Sequence, residues 1–296
     1  LKVYGIKFNY LGGIKMTNKE IPRPEYPRPQ MVREEWSNLN GKWDFEIDHG
    51  KSGRKRNLVE KNTLEDEILV PFSPESKLSG VEYTDFMDSV WYKRKFEVPE
   101  EWMEQKVLIH FGAVDYKTEV WINGESVGTH RGGYTPFTFD ITEYIEKGTN
   151  QVTVCAEDDV RSGLQPAGKQ SPKYNSFGCF YTRTTGIWQT VWLESVPENY
   201  IDNFKVIPDP DNECVEIEVS MTGDIFDYNL EVEAFLNGES AGSEKIKVNN
   251  HTMYFSLDLT EIELWNIDNP VLYDLTLNLV DKKGKNVDTV ESYFGL

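Results

Sequence analysis

A chain of 296 residues is long enough for two domains of ordinary size, and its 39% of hydrophobic residues can fill their cores. Fifty acidic and 31 basic residues give a net charge of −19, which repels phosphates and argues against nucleic acids and membranes as partners. Three widely spaced cysteines, Cys155, Cys179 and Cys214, predict free thiols rather than a disulfide framework. No segment resembles a membrane span and no clear signal peptide opens the chain, so we expect a cytoplasmic protein.

Residues 1–30 are predicted to form a partly extended N-terminal arm. Four prolines follow one another closely there, at positions 22, 24, 27 and 29. Proline has no backbone N–H and fixes its own φ, so this spacing excludes a helix and favours extended backbone. We therefore place the first folded domain after residue 30.

Short strands follow the arm and predict a β-sandwich over residues 31–197. Apolar and polar residues alternate with period two in residues 41–47 and similarly in residues 91–98, as expected for strands that bury one face. Asn123-Gly124 stands between two further runs. This pair is a strong hairpin signal because both turn residues need positive φ.

A second series of strands begins after Pro197 and predicts a second sandwich over residues 198–296. About seven short strands, with a second Asn-Gly turn at Asn237-Gly238, are typical of an immunoglobulin-like domain. No stretch alternates strands with long amphipathic helices. We therefore expect no parallel α/β barrel in this chain.

The motifs that first suggest catalysis have an ordinary structural interpretation. Residues 124–128 match the G-x-S-x-G pattern of serine hydrolases, but a nucleophile elbow needs a helix after the turn, and here a strand should follow. The four histidines lack metal-ligand spacing, and the sequence contains no phosphate-binding loop or dinucleotide fingerprint. We expect no metal and no cofactor.

A long loop is predicted at residues 158–178, which are rich in Gly, Pro, Ser and Lys. Long ordered loops in compact domains are often functional. The neighbouring aromatic residues Phe177, Phe180 and Tyr181 are therefore the better candidates for ligand contacts, because flat rings can stack on sugar rings.

Landmarks along residues 31–296 resemble family 2 of the glycoside hydrolases, which comprises β-galactosidases, β-glucuronidases and β-mannosidases. They appear in the family's order: Leu39-Asn40-Gly41-Lys42-Trp43, Val70-Pro71-Phe72, Trp91 to Phe96, Phe111-Gly112-Ala113-Val114-Asp115, Trp121-Ile122-Asn123-Gly124, Gly132-Gly133-Tyr134-Thr135-Pro136-Phe137, Thr185-Gly186-Ile187-Trp188-Gln189, and Asn269-Pro270-Val271-Leu272-Tyr273.

The resemblance implies an all-β fold with a jelly-roll, galactose-binding-like β-sandwich followed by an immunoglobulin-like β-sandwich. It places the family's two catalytic glutamates, the acid/base and the nucleophile, in a TIM barrel that is absent from this chain. The chain would then hold no catalytic residue and be inactive alone. Implied partners are a carbohydrate, the catalytic barrel of the same polypeptide, and further copies in a homo-oligomer.

The resemblance also implies residues that touch the sugar. Galactosidases and glucuronidases of the family carry an aspartate six residues before the glycine of a Gly-Ile pair; counted from Gly186, that position is Phe180, so the carboxylate is missing. Arg183, three residues before Gly186, matches the arginine of the galactosidase pattern. We predict Arg183, Tyr181 and Phe180 as sugar-binding residues, with Arg183 in a rim or positioning role.

Two other functions stay open on the residues alone. A free-standing carbohydrate-binding protein would bind sugar at millimolar concentration or below, through residues near Phe180. A structural or adhesive pair of sandwiches would bind no sugar and would expose a large apolar patch.

Overall fold

The computed structural model describes residues 21–296, and nearly all of its regular structure is antiparallel β-strand. This confirms the expected all-β fold class. The predicted arm is described only from residue 21 onward, and residues 1–20 lie outside the described part. Four short 3-10 helices occur in residues 21–296: Lys77–Ser79, Glu100–Glu104, Thr142–Tyr144 and Pro210–Asn212. None of them has the length and apolarity needed to cross a bilayer.

The first sandwich is built from twelve strands of the described chain: β1 (Trp36–Asn38), β2 (Gly41–Ile47), β3 (Asp66–Val70), β4 (Ser89–Glu97), β5 (Lys106–Phe111), β6 (Val114–Asp115), β7 (Lys117–Ile122), β8 (Glu125–Arg131), β9 (Phe137–Asp140), β10 (Thr149–Glu157), β11 (Gly186–Ile187) and β12 (Val191–Val196). A six-stranded sheet runs in the order β3-β2-β4-β10-β7-β8, and a four-stranded sheet runs in the order β1-β12-β5-β9. Strands β6 and β11 form a short separate pair.

Period-two alternation decides which side chains fill the space between these sheets. Trp43 and Phe45 of β2 are each 1% exposed and share one core with the fully buried Tyr92 of β4. Each large side chain buried in this way contributes about 1.5–3 kcal/mol. The same pattern that predicted the strands therefore also supplies the core.

The hairpin predicted at Asn123-Gly124 is confirmed. Asn123 and Gly124 have φ values of 50° and 90°, and they join β7 directly to β8. Ser126 lies in β8 rather than at a strand-to-helix turn. The G-x-S-x-G match is therefore part of a β-hairpin, as predicted.

The second sandwich has seven strands: β13 (Tyr200–Asp209), β14 (Cys214–Thr222), β15 (Asn229–Leu236), β16 (Glu239–Lys247), β17 (Thr252–Asp258), β18 (Tyr273–Val280) and β19 (Asn286–Phe294). They form a three-stranded sheet, β13-β14-β17, and a four-stranded sheet, β16-β15-β18-β19. Alternate residues of β15 are buried, among them Leu230 and Val232, and they pack in a core separate from that of the first sandwich.

In the structure the arm extends up to β1, and its described part, residues 21–35, contacts both sandwiches. Met31 is 2% exposed and packs in the core of the second sandwich. Val32 exchanges two backbone hydrogen bonds with Glu291 of β19, at 2.8 and 3.0 Å. The hydroxyl of the buried Tyr26 donates to the carbonyl of Met31 at 3.1 Å and to the carboxylate of Glu194 in β12. The arm therefore lies in the joint between the two sandwiches.

A buried ion network reinforces this joint. The Arg33 guanidinium donates to both carboxylate oxygens of Asp288 in β19, at 3.1 and 2.9 Å, and lies 3.3 Å from a carboxylate oxygen of Glu194. Burial alone would raise the pKa of Glu194, but the neighbouring imidazole of His110 and the charges of Arg28 and Arg33 outweigh it. The pKa of Glu194 is therefore held well below its usual value. Arg33 thus links an ionised carboxylate of the first sandwich to Asp288 of the second.

Candidate functional site

The long loop, residues 158–185, leaves the end of β10 and returns at β11. It contains all three residues that the sequence analysis singled out: Phe180, Tyr181 and Arg183. The structure brings these residues into one loop but in different environments. Arg183 is 3% exposed, whereas Tyr181 is 61% exposed and Phe180 is half-buried.

Arg183 holds the loop closed from inside. Its guanidinium donates to the backbone carbonyls of Ser171 at 3.1 Å and Tyr174 at 3.3 Å, and also to those of Lys173 and Thr84. A guanidinium offers five N–H donors in a fixed fork, which suits several carbonyls at once. Because these donors are used within the loop, the geometry gives Arg183 a positioning role.

We expect Arg183→Lys to loosen the long loop while leaving both sandwiches folded. A lysine ammonium cannot reach four carbonyls, and each lost charged hydrogen bond costs about 1.5–3 kcal/mol of local stability. The backbone amides of residues 171–181 should exchange with solvent about tenfold faster or more. Hydrogen exchange followed by mass spectrometry measures this.

Arg161→Lys is the matched control for this experiment. The Arg161 guanidinium stacks on the same Phe86 ring as that of Arg183, at 3.9 and 4.2 Å from the ring centroid. Arg161 is exposed, however, and makes no comparable set of carbonyl contacts within residues 21–296. Equal exchange rates in the two variants would contradict the positioning role of Arg183.

Buried carboxyl groups anchor the base of the same loop. Gln170 donates to Asp115 at 2.7 Å, and its amide oxygen accepts from the backbone N–H of Thr184 at 2.9 Å. Thr185 donates its backbone N–H to Glu75 and its hydroxyl to Asp158, both at 3.2 Å. Glu75 and Asp115 come from two separate segments and Asp158 is the first residue of the loop, and the charges of Asp158 and Glu75 act on Asp115.

Their environment makes these three carboxyl groups weaker acids than carboxyl groups in water. Burial and the nearby charge of Asp158 raise the pKa of Asp115 to about 7. Burial likewise raises the pKa of Glu75 to about 7 and that of Asp158 to about 6. One oxygen of Asp115 and one of Glu75 have no hydrogen-bond partner among the described residues. At neutral pH the cluster therefore retains protons that solvent-exposed carboxyl groups would have lost.

Two glycines permit the close packing around this cluster. A Cβ atom on Gly133 would lie 2.3 Å from an oxygen of Asp115. A Cβ atom on Gly186, which has φ of 73°, would lie 2.1 Å from the hydroxyl oxygen of Tyr92. These distances account for the glycines in Gly132-Gly133-Tyr134 and in Gly186-Ile187, because any side chain there would collide with the anchor.

The outer end of the loop is a small aromatic hairpin. Phe177 and Phe180 exchange two backbone hydrogen bonds, at 3.1 and 2.9 Å, and their rings stack with centroids 5.1 Å apart. Tyr174 is 56% exposed beside them, and Tyr181 follows directly. The hairpin therefore presents aromatic faces to solvent on a loop that is fixed from below.

Across residues 21–296, no group of three or more His, Cys, Asp or Glu side chains is arranged to hold a metal ion. All three cysteines are free, with Cys155 and Cys214 buried and Cys179 exposed at the tip of the hairpin.

Comparison with known protein families covers nearly all of the described chain. The family described as "Glycosyl hydrolases family 2, sugar binding domain" matches residues 36–197. "Glycosyl hydrolases family 2" matches residues 199–296. The chain belongs to glycoside hydrolase family 2. The expected family is thereby confirmed, and the two matches adjoin at the point where the sheets of the first sandwich give way to those of the second.

Relatives of this family 2 chain are longer than the chain itself. A β-galactosidase of Thermoanaerobacter pseudethanolicus is 31% identical, over 66% of this chain and 26% of the relative. A β-glucuronidase of Paenibacillus borealis is 23% identical, over 92% of this chain and 46% of the relative. A solved β-glucuronidase from Ruminococcus gnavus has the same fold, with a TM-score of 0.72, 21% identity, and coverage of 92% of this chain and 46% of that one. The family 2 chain thus spans about a quarter to a half of these proteins.

Sequence reasoning missed the carboxyl anchor of the family 2 chain. Asp115 and Gly133 both stand in segments that carried the family resemblance, yet no role was predicted for either. The one sequence feature that could have drawn attention to Asp115 and Gly133 is that each lies in a segment that resembles family 2 and contains glycine. Only the folded chain shows that Asp115 anchors the loop through Gln170, because these two residues are 55 positions apart in the sequence.

Proposed function

We propose that this chain is the non-catalytic N-terminal region of a retaining β-glycosidase. The observation that carries the proposal is its match to family 2 over both sandwiches, at a length of about a quarter to a half of its relatives. The acid/base and nucleophile carboxyl groups of such an enzyme would lie in the part of the relatives that this chain does not cover. The chain would shape the active site rather than perform the chemistry.

We assign the long loop to the edge of that active site. Tyr181 and Phe180 would offer aromatic faces to a sugar ring, and Arg183 would hold them in place through the loop carbonyls. The support is the combination of an exposed aromatic hairpin with a base fixed by buried hydrogen bonds. Preorganisation of this kind reduces the ordering cost of binding.

A separate apolar surface on the second sandwich would pack against the catalytic domain. Leu264, Trp265, Ile267 and Leu272 are between 48% and 86% exposed in one short segment. The backbone N–H of Trp265 donates to the carbonyl of Leu296 at 2.8 Å. Exposed apolar side chains gathered in this way mark an interaction surface.

We also propose that the protein works in a reducing compartment such as the cytoplasm, which would keep Cys179 as a thiol. We further propose that it assembles into a homo-oligomer.

The test is to read the gene beyond the codon for Leu296 and to assay both products on aryl β-glycosides. We expect the 296-residue chain to be inactive and a product that includes a following catalytic domain to be active. In the active product, Tyr181→Ala should raise KM several-fold, since one stacked ring contributes about 1 kcal/mol. Tyr254→Ala, which removes a 71% exposed tyrosine from the second sandwich, is the control.

Two results would refute the proposal. One is turnover by the 296-residue chain that persists through repeated purification. The other is a stop codon directly after Leu296, because the chain would then lack the domain that performs the chemistry.

A further inference from the structure

Most of the long loop, together with the chain that follows it as far as residue 193, differs in charge from the rest of the protein. Residues 160–193 contain no Asp or Glu, although about one residue in six of the whole chain is acidic. The same stretch contains four basic residues, Arg161, Lys169, Lys173 and Arg183. A protein of net charge −19 therefore carries a locally positive loop, and the local field decides which ligands approach that surface.

Three of these four cations form no ion pair with the described residues. Arg161, Lys169 and Lys173 are exposed, and no carboxylate of residues 21–296 lies within 4.0 Å of their side-chain nitrogens. Some of the exposed cations elsewhere are paired, as in the contacts of Arg54 with two glutamates. Arg183 is the exception within the loop, because the loop carbonyls occupy its donors.

Aromatic residues adjoin two of these cations. The Lys173 ammonium lies 4.3 Å from the centroid of Phe177. Lys169 is joined to Tyr181, whose backbone N–H donates to the Lys169 carbonyl at 2.8 Å. Sugar rings stack on aromatic faces, while carboxylate and sulfate groups form charge-assisted hydrogen bonds with ammonium and guanidinium groups. Cationic and aromatic side chains on one loop therefore suit a carbohydrate that bears negative charges.

Hydrogen bonds fix the backbone at the base of the loop that carries these side chains. Ser171 N–H donates to the Tyr181 carbonyl at 2.7 Å, and Gln170 ties the same part of the loop to Asp115. A loop held at its base loses little further freedom on binding. The exposed cations are spread along the loop, which favours a ligand with several charges over one with a single carboxylate.

We propose that the long loop binds anionic oligosaccharides, which carry carboxylate or sulfate groups, through Lys169, Lys173 and Arg161. Placing this contact beside an active site rests on the proposed function, but the binding itself does not require catalysis. The three cations would recognise carboxylate or sulfate groups on the part of the glycan that lies along the loop. The loop would thereby select acidic polysaccharides among possible substrates.

The test is isothermal titration calorimetry of the 296-residue chain with three oligosaccharides of equal length. These are an oligogalacturonate, a sulfated galactan fragment and the neutral galactan fragment. We expect one or both acidic ligands to bind about tenfold more tightly than the neutral one at low salt, and the difference to shrink at about 0.15 M salt through screening. Comparing the affinity for the oligogalacturonate with that for the sulfated galactan fragment shows whether the loop prefers carboxylate or sulfate.

The decisive variant is Lys169→Gln combined with Lys173→Gln, which changes two exposed side chains. Its affinity for the acidic ligand should fall about tenfold, since two ion pairs with the ligand are lost together. Lys205→Gln removes the same charge from an exposed position on β13 and should stay within about twofold of the unchanged protein. Far-UV circular dichroism verifies that each variant is folded.

Three outcomes would overturn the proposal. They are equal affinity for acidic and neutral oligosaccharides, equal effects of the double variant and the Lys205 control, and binding of single-stranded DNA as tight as that of the acidic ligands. None of these results bears on hydrolysis. Conversely, failure of the longer product to hydrolyse β-glycosides would refute the proposed function and leave the binding result intact.

Discussion

Replacing Arg33 with alanine is expected to lower the free energy of unfolding by about 3–5 kcal/mol, because it removes one partner from a buried ion network. Arg33 is 5% exposed, and its partners Glu194 and Asp288 are 0% and 6% exposed. Their carboxylates would stay buried after losing this partner. Since Glu194 belongs to the first sandwich and Asp288 to the second, we also expect the two sandwiches to unfold less cooperatively in differential scanning calorimetry.

Two further variants distinguish this effect from general damage. Lys42→Ala breaks a 2.7 Å pair with Glu67 on the surface, where the side chains are 74% and 57% exposed, and should cost no more than about 1 kcal/mol. The triple variant Arg33→Met, Glu194→Gln, Asp288→Asn removes the charges together and should be less destabilised than Arg33→Ala alone. A loss for Arg33→Ala no larger than that for Lys42→Ala would contradict the role of the network.

Asp115→Asn is expected to stabilise the protein at pH 8 by about 2–4 kcal/mol and to leave its stability at pH 4 nearly unchanged. The folded state raises the pKa of Asp115 from 3.8 to about 7. Between these two values the folded protein holds a proton that the unfolded chain releases. Stability in this window therefore falls as pH rises, and asparagine removes this contribution because it carries no charge at any pH.

Urea unfolding at several pH values between 4 and 8 measures the effect. Asparagine retains an oxygen that can accept from Gln170, so the loop anchor should persist in the variant. Glu75 and Asp158, with pKa values raised to about 7 and about 6, should keep part of the pH dependence. Asp211→Asn is the control, because Asp211 is exposed on the second sandwich and its replacement should change stability by no more than about 0.5 kcal/mol. Parallel pH profiles for Asp115→Asn and the unchanged protein would contradict the prediction.

Strands, turns and family could be predicted from the sequence because their signals are local. Period-two alternation places Trp43 and Phe45 on one face of β2 whatever the rest of the chain does. The Asn123-Gly124 pair forms its hairpin because these two residues adopt positive φ readily. Landmarks of this kind were numerous and ordered enough to indicate family 2 before any fold was known.

The roles of individual polar residues could not be predicted in the same way. Arg33 is separated from Glu194 by 161 residues and from Asp288 by 255 residues, and no local pattern pairs them. Arg183 matched a sugar-binding pattern by its distance from Gly186, yet the folded chain buries it and surrounds it with carbonyls. A motif records spacing along the chain, whereas a hydrogen bond depends on which segments meet in space.

The sequence by itself therefore determined the all-β class, the hairpins, the two series of strands and the acid-free stretch of the long loop. Only the tertiary structure decided that Asp115, Asp158 and Glu75 share one buried site, that Arg183 supports the loop from within, and that the arm joins the two sandwiches. The physical reason is that backbone conformation and one-sided burial depend on near neighbours in the chain. The pKa and the partners of a buried polar group depend on residues that only folding brings together.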